Sequence, residues 1–215
     1  MKIYLAFLLL VILSNLSYAD DFAETLKLAE QGDAYSQHNL GNLYDHGWGI
    51  PENDKTAVMW YTRAAEQGHA SAQANLGTMY ADGWGVQQDY KTAVMWYTKA
   101  AEQGYASAQY NLGLMYANGE GVPENDKTAG MWFTKAAKQG HAMAQSALGL
   151  RYAIGEGAPG NYVKAYVWVS MAKANGDEVA KVIIDVFKTE MTKEQIAKAQ
   201  KLAAKCYASD YKDCN

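Results

Sequence analysis

Two short strings in this chain have the form of chemical motifs. Gly155-Glu156-Gly157-Ala158-Pro159-Gly160 fits the Gly-x-Gly-x-x-Gly of a dinucleotide cradle, and Ser170-Met171-Ala172-Lys173 fits the Ser-x-x-Lys of acyl-transferring serine enzymes. Neither survives its context. The cradle needs a strand before it, whereas this string follows a helical pattern and stands where sister segments carry an ordinary inter-helix loop. The serine lacks the Ser-Asp-Asn and Lys-Thr-Gly partners that supply a proton relay and an oxyanion environment. His69 and His141 occupy the same place two segments apart, too far to share a metal whose ligands lie within about 2 Å of it. With His38 and His46 they read as solvated or helix-capping residues. No catalytic residue, metal site or cofactor emerges from these patterns.

Recognition chemistry is better represented. Asn39, Asn75 and Asn111 each precede a Leu-Gly pair, with Ala147 in the fourth place. A carboxamide offers both a donor and an acceptor. Trp48 and Trp84 occupy the middle of Gly-x-Gly loops where later segments carry Glu120 and Glu156, so the scaffold does not demand an aromatic there. They are placed to stack on a partner side chain or a sugar, or to pack on the adjacent loop.

These residues are positioned by a repeat of 36. Gly41, Gly77, Gly113 and Gly149 keep that step, as do Trp60, Trp96, Trp132 and Trp168. Such periodicity marks a solenoid whose units bury their apolar faces against one another. In the second unit, Ala70, Gln73, Leu76, Gly77 and Tyr80 share one face of a first helix, and Gly83-Trp84-Gly85 ends it. Asp89, like Asn53, Asn125 and Asn161, stands at an N-cap. Ala93, Trp96, Tyr97, Ala100 and Ala101 then line a second amphipathic helix. Gly130 is expected to break that helix in the third unit. The alanines and the Leu-Gly pair let helix backbones approach closely. First-helix positions that vary between units, Tyr110 and Arg151 among them, are where specificity would be encoded.

The ends differ from the middle. Residues 1–19 combine Lys2, an apolar run from Ile3 to Leu13, and Ser17-Tyr18-Ala19, the pattern of a cleaved secretory leader. The run is shorter than the ~20 residues a membrane span needs, so no anchor remains after cleavage and a periplasmic or secreted location is expected. Residues 20–33 hold an N-terminal capping helix. Residues 34–177 hold the units 34–69, 70–105, 106–141 and 142–177, and 178–215 hold a capping helix pair and tail. Val179, Val182, Ile183, Val186 and Phe187 mark the apolar face of the first of these, and Thr192 with Gln195 forms a capping box for the second. Cys206 and Cys214 are the only cysteines. In an oxidising compartment they read as a disulfide, the alternative being two free thiols. The net charge is −4 with no basic block, which argues against nucleic acid and anionic membranes as partners.

The string Ala-x-x-Gln-x-x-Leu-Gly-x-x-Tyr-x-x-Gly-x-Gly, followed by Lys-x-Ala-x-x-Trp-Tyr-x-x-Ala-Ala-x-Gln-Gly, resembles the Sel-one-like repeat (SLR), a relative of the tetratricopeptide repeat. The resemblance covers about residues 34–176 and implies an all-α, right-handed solenoid of helix-turn-helix units. It also implies an adaptor or scaffold that binds a peptide or protein on its concave face. There the Asn before Leu-Gly hydrogen-bonds a peptide main chain, which would assign Asn39, Asn75 and Asn111 to the partner, with Tyr110 and Arg151 beside them. The same asparagines could instead bond neighbouring backbone and support the fold. An envelope-assembly scaffold or a peptidoglycan- or carbohydrate-binding module is the alternative. A β-lactam-binding or hydrolysing enzyme is more remote, because the relatives linked to β-lactams carry a cysteine pair in every repeat and this chain does not.

Overall fold

In the computed structural model, which describes residues 22–155 and 160–214, every regular element is a helix. The leader segment 1–19 and Glu156 to Pro159 of the glycine string lie outside the described residues. After α1 (residues 22–30) come α2 (Ala34–His46), α3 (Asp54–Glu66), α4 (Ala70–Asp82), α5 (Tyr90–Glu102), α6 (Ala106–Asn118), α7 (Asp126–Ala137), α8 (Ala142–Ile154), α9 (Tyr162–Ala174), α10 (Ala180–Thr189) and α11 (Lys193–Ala208). They gather into two compact units, one reaching Trp96 and one starting at Tyr97. Among the described residues, no helix is long and apolar enough to cross a membrane.

The helix starts follow from side chains that satisfy free backbone donors. Asn53, Asn125 and Asn161 accept from the backbone N–H groups of Thr56, Thr128 and Lys164 at 3.0, 2.9 and 3.0 Å. Asp89 accepts from the Lys91 N–H at 2.9 Å and from the Thr92 hydroxyl at 2.7 Å. His69 and His141 cap α4 and α8 through Nδ1, which accepts from Ala72 N and Ala144 N. Asp33 does the same for α2. In the loop after α4, Gly85 has a φ of +68°, and a Cβ there would lie 2.5 Å from the Asp54 carbonyl. Only glycine fits that turn.

Within the first, third and fourth pairs the Leu-Gly step brings two helices together. A Cβ on Gly41 would lie 2.5 Å from the Tyr61 ring, and one on Gly113 2.6 Å from the Phe133 ring. In the first and third pairs the aromatic ring of the second helix therefore lies directly on the backbone of the first, and in the fourth Val169 takes that place against Gly149. Leu40, Tyr61, Leu76 and Leu112 are almost fully enclosed, each worth about 1.5–3 kcal/mol of apolar burial.

A buried glutamine then ties each pair to its predecessor. Gln37, Gln73, Gln109 and Gln145 donate through Nε2 to the carbonyls of Ala29, Ala65, Ala101 and Ala137, at 3.0 to 3.1 Å. Their amide oxygens accept in turn, as Gln37 does from Gln67, Gln109 from Gln139 and Gln145 from Asn175. A buried amide left unbonded would cost about 1–3 kcal/mol, so the glutamine in the repeat string acts as a staple.

Two expectations need correction. Gly130 does not break its helix, since α7 runs from Asp126 to Ala137 without interruption. One glycine costs a helix interior only about 1 kcal/mol, and Trp132, Phe133, Ala136 and Ala137 on the same helix are buried. The apolar face of α10 is also different. Ala180, Ile184 and Phe187 are buried, while Val179, Val182 and Val186 are 62%, 63% and 57% exposed. The apolar residues form one broad arc opposite Lys181, Asp185 and Lys188, and the Ala180–Ile184–Phe187 side of that arc, where small Ala180 permits close approach, is the part that meets the core.

The capping box of α11 is present, with Thr192 N donating to Gln195 Oε1 at 2.8 Å and Gln195 N to Thr192 Oγ1 at 3.2 Å. Cys206 and Cys214 form a disulfide, both of them buried in the core of the second unit.

Candidate functional site

The start of the first repeat holds an open groove of about 320 Å³ lined by Phe22 and Thr25 of α1, Asn39, Asn42 and Leu43 of α2, and Trp48 to Ile50 of the following loop. It brings together Asn39 and Trp48, which the sequence offers as separate candidates. The Trp48 side chain is 60% exposed, and its ring lies 4.5 Å from that of His46. Phe22 packs edge-on to Tyr44, which fixes the apolar floor. Two carboxamides therefore stand beside an exposed indole and aliphatic walls.

Behind the groove runs a network of polar side chains. The Tyr61 hydroxyl lies 2.7 Å from Asn42 Oδ1 and 2.9 Å from Asp45 Oδ2, its single proton shared between two acceptors. Asn75 Nδ2 donates to Asn42 Oδ1 at 3.1 Å. His38 Nε2 lies 3.4 Å from the Nδ2 atoms of both Asn42 and Asn75. His38 also stacks on His69, with ring centroids 4.7 Å apart. Burial pushes the Tyr61 phenol well above its usual range, and the Asp45 charge adds to this. Burial, with His69 beside it, pulls His38 down to about 4. Both side chains are therefore uncharged near neutral pH. The arrangement orients amides and supplies no activated nucleophile or base.

The remaining candidates are dispersed. Asn75 is half-buried and engaged by Asn42, so its amide serves the network. Asn111 on α6 is half-buried, and no described side chain hydrogen-bonds it. Tyr110 stacks on His141 at 5.0 Å and leans on Phe133 at 5.8 Å. Arg151 donates to Asp126 through its carboxylate at 3.2 Å and its backbone carbonyl at 2.7 Å, with little of its side chain exposed. Trp84 is 52% exposed and does not line the groove. His38 is neither solvated nor capping, contrary to expectation. Its partners lie 4 to 37 residues away, and only the repeat register, which aligns His38 with Ala74 and Tyr110, could have pointed to them. Among the described residues, no three His, Cys, Asp or Glu side chains converge as metal ligands.

The Sel1 repeat pattern matches residues 34–69, 70–105, 106–141 and 142–177, four consecutive units that account for most of the chain.

The chain belongs to the Sel1 repeat family.

Solved Sel1 structures agree with this. A protective antigen of uropathogenic Escherichia coli displaying an SLR fold is 36% identical, with a TM-score of 0.82 over 88% of this chain. The chain spans only 41% of that antigen's length. A Sel1 repeat protein from Oxalobacter formigenes is 34% identical, with a TM-score of 0.75 over 83% of this chain and 75% of its own. An immunity protein of Pseudomonas aeruginosa, 23% identical with a TM-score of 0.53 over 90% of this chain and 73% of its own, shares the fold. No curated protein matches the sequence.

Proposed function

We propose that this Sel1 repeat protein is a non-enzymatic interaction module, exported by its leader, that receives an extended peptide of a protein partner in the groove of its first repeat. Sel1 repeats generally mediate protein–protein interaction. The observation that carries the reading is the convergence of Asn39 and Trp48 on one groove with an apolar floor, where Asn42 is held by the network behind it. Carboxamides suit a peptide main chain, and an exposed indole in a partly apolar pocket is the kind of anchor that dominates binding energy.

Selection of a displayed random-peptide library on residues 20–215 tests this. Enrichment of a peptide family by the wild type, lost on Asn39→Ala/Trp48→Ala, is expected. Equal enrichment by both proteins would remove the groove from the account. A second reading rests on Trp48 alone, since an exposed indole flanked by amides also suits a sugar ring. Retention on a peptidoglycan or oligosaccharide array without any peptide enrichment would favour it.

A further inference from the structure

The side chain that caps the first helix of one repeat meets a side chain on the first helix of the repeat before it. In the first unit the contact is His38 with His69, stacked at 4.7 Å and 25°. In the second unit it is Tyr110 with His141, stacked at 5.0 Å and 27°. The geometries are alike and both histidines cap through Nδ1. One pair, however, has two titratable imidazoles, and the other has one.

Protonation acts differently on the two. An imidazolium over a tyrosine ring gains a cation–π attraction, which offsets the loss of its Nδ1 as a cap acceptor. Two stacked imidazoliums repel instead. His38 carries a further penalty. Its Nε2 faces the amide donors of Asn42 and Asn75, so in the neutral ring Nε2 accepts and Nδ1 holds the proton. That Nδ1 is buried without a partner among the described residues. A second proton at Nε2 would point one donor at two others.

We propose that the His38–His69 stack is a pH-sensitive latch, closed by two neutral imidazoles at neutral pH and opened by acidification, while the Tyr110–His141 contact weakens far less.

The groups facing the pair do not rescue it. Asp33, at the start of α2, attracts a charged His69, but burial outweighs it and the His69 pKa is lowered. Asp45 of α2 is engaged by Tyr61 of α3, which itself stays protonated. Tyr35 of α2 lies tilted to His69 at 6.3 Å, and the Tyr61 ring of α3 lies tilted to His38 at 6.0 Å. Asn39 of α2 favours a charged His38 by less than burial opposes it, and α4 contributes the neutral Asn75. The fold holds His38 at about 4 against an ordinary 6.5. The latch is therefore at full strength above pH 6.5 and weakens as pH falls from there toward 4.

Hydrogen exchange followed by mass spectrometry at pH 6.5 and 4.5, corrected for intrinsic rates, tests the latch on residues 20–215 and on His38→Tyr, which rebuilds the tyrosine–histidine pair. We expect α2 and the first turn of α4 to lose about tenfold in protection on acidification, α6 and the first turn of α8 to lose far less, and His38→Tyr to abolish the difference. His69→Asp, which keeps an acceptor at the cap, is expected to do the same and serves if the tyrosine variant does not fold. Equal losses in both regions, no loss in either, or an unchanged difference in the folded variant would overturn the proposal.

Discussion

Arg151 stands beside the bare backbone of Gly130: a Cβ built on that glycine would lie 3.5 Å from the arginine Nε. The repeat places Val58 and Val94 where Gly130 stands, and Leu43, Met79 and Met115 where Arg151 stands. The third unit has given up a side chain, and the fourth has put a guanidinium in the space, from which it reaches Asp126.

The exchange predicts opposite signs for two substitutions. Gly130→Ala adds only an ordinary van der Waals contact and removes a poor helix former, so urea unfolding is expected to show it unchanged or up to about 1 kcal/mol more stable. Gly130→Val restores the repeat residue but displaces Arg151, and a loss of about 1–2 kcal/mol is expected. A valine variant as stable as the alanine variant would mean the two positions are independent.

The tail makes a second linked device. Tyr211 donates to Asn175 at 3.0 Å, Asn175 to Gln145 at 2.9 Å, and Gln145 to the Ala137 carbonyl at 3.0 Å. The disulfide closes a short loop, with a sequence separation of 8, that holds Tyr211 in place. Loop-closure entropy alone gives it about 2.5 kcal/mol. Cys206→Ser/Cys214→Ser is expected to lower stability by at least about that amount in denaturant titrations. Tyr211→Phe is expected to cost about 1 kcal/mol with the disulfide intact. No effect of either change would separate the tail from the staple.

The asparagine ladder is expected to divide. Asn75→Ala removes a donor from the network around Asn42 and His38 and is expected to destabilise by about 1–2 kcal/mol in thermal unfolding. Asn111→Ala, which breaks no described side-chain hydrogen bond, is expected to change stability by less than about 0.5 kcal/mol. Equal costs would contradict the separate environments of the two residues.

The architecture was legible because it is written four times: Leu-Gly, the cap residues and the loop glycines recur in register, and local chemistry dictates each. The role of the glutamine was not legible, although the residue is in the repeat string, because its acceptor lies on the preceding helix. The valine face of α10 misled because it occurs once and the apolar arc of the helix is wider than the part that meets the core. At the site, Asn39 and Trp48 were legible as separate candidates, and their meeting in one groove was not. Ile50 holds an apolar place of the repeat, shared with Val86 and Val122, but Phe22, which closes the groove from the other side, belongs to no repeated pattern. Arg151 was read as a variable position facing a partner, and its bond to Asp126 was not legible because that residue lies 25 positions back, in the preceding repeat.

The central claim is that the first-repeat groove takes the partner, and a heteronuclear NMR titration of residues 20–215 with a library-selected peptide tests it most directly. The Trp48 indole N–H and the Asn39 and Asn42 side-chain amides are expected to shift in a saturable way, while Trp84 and Asn111 stay in place. Saturable shifts at Trp84, Asn111 or the exposed valines of α10, with Trp48 and Asn39 silent, would contradict the account.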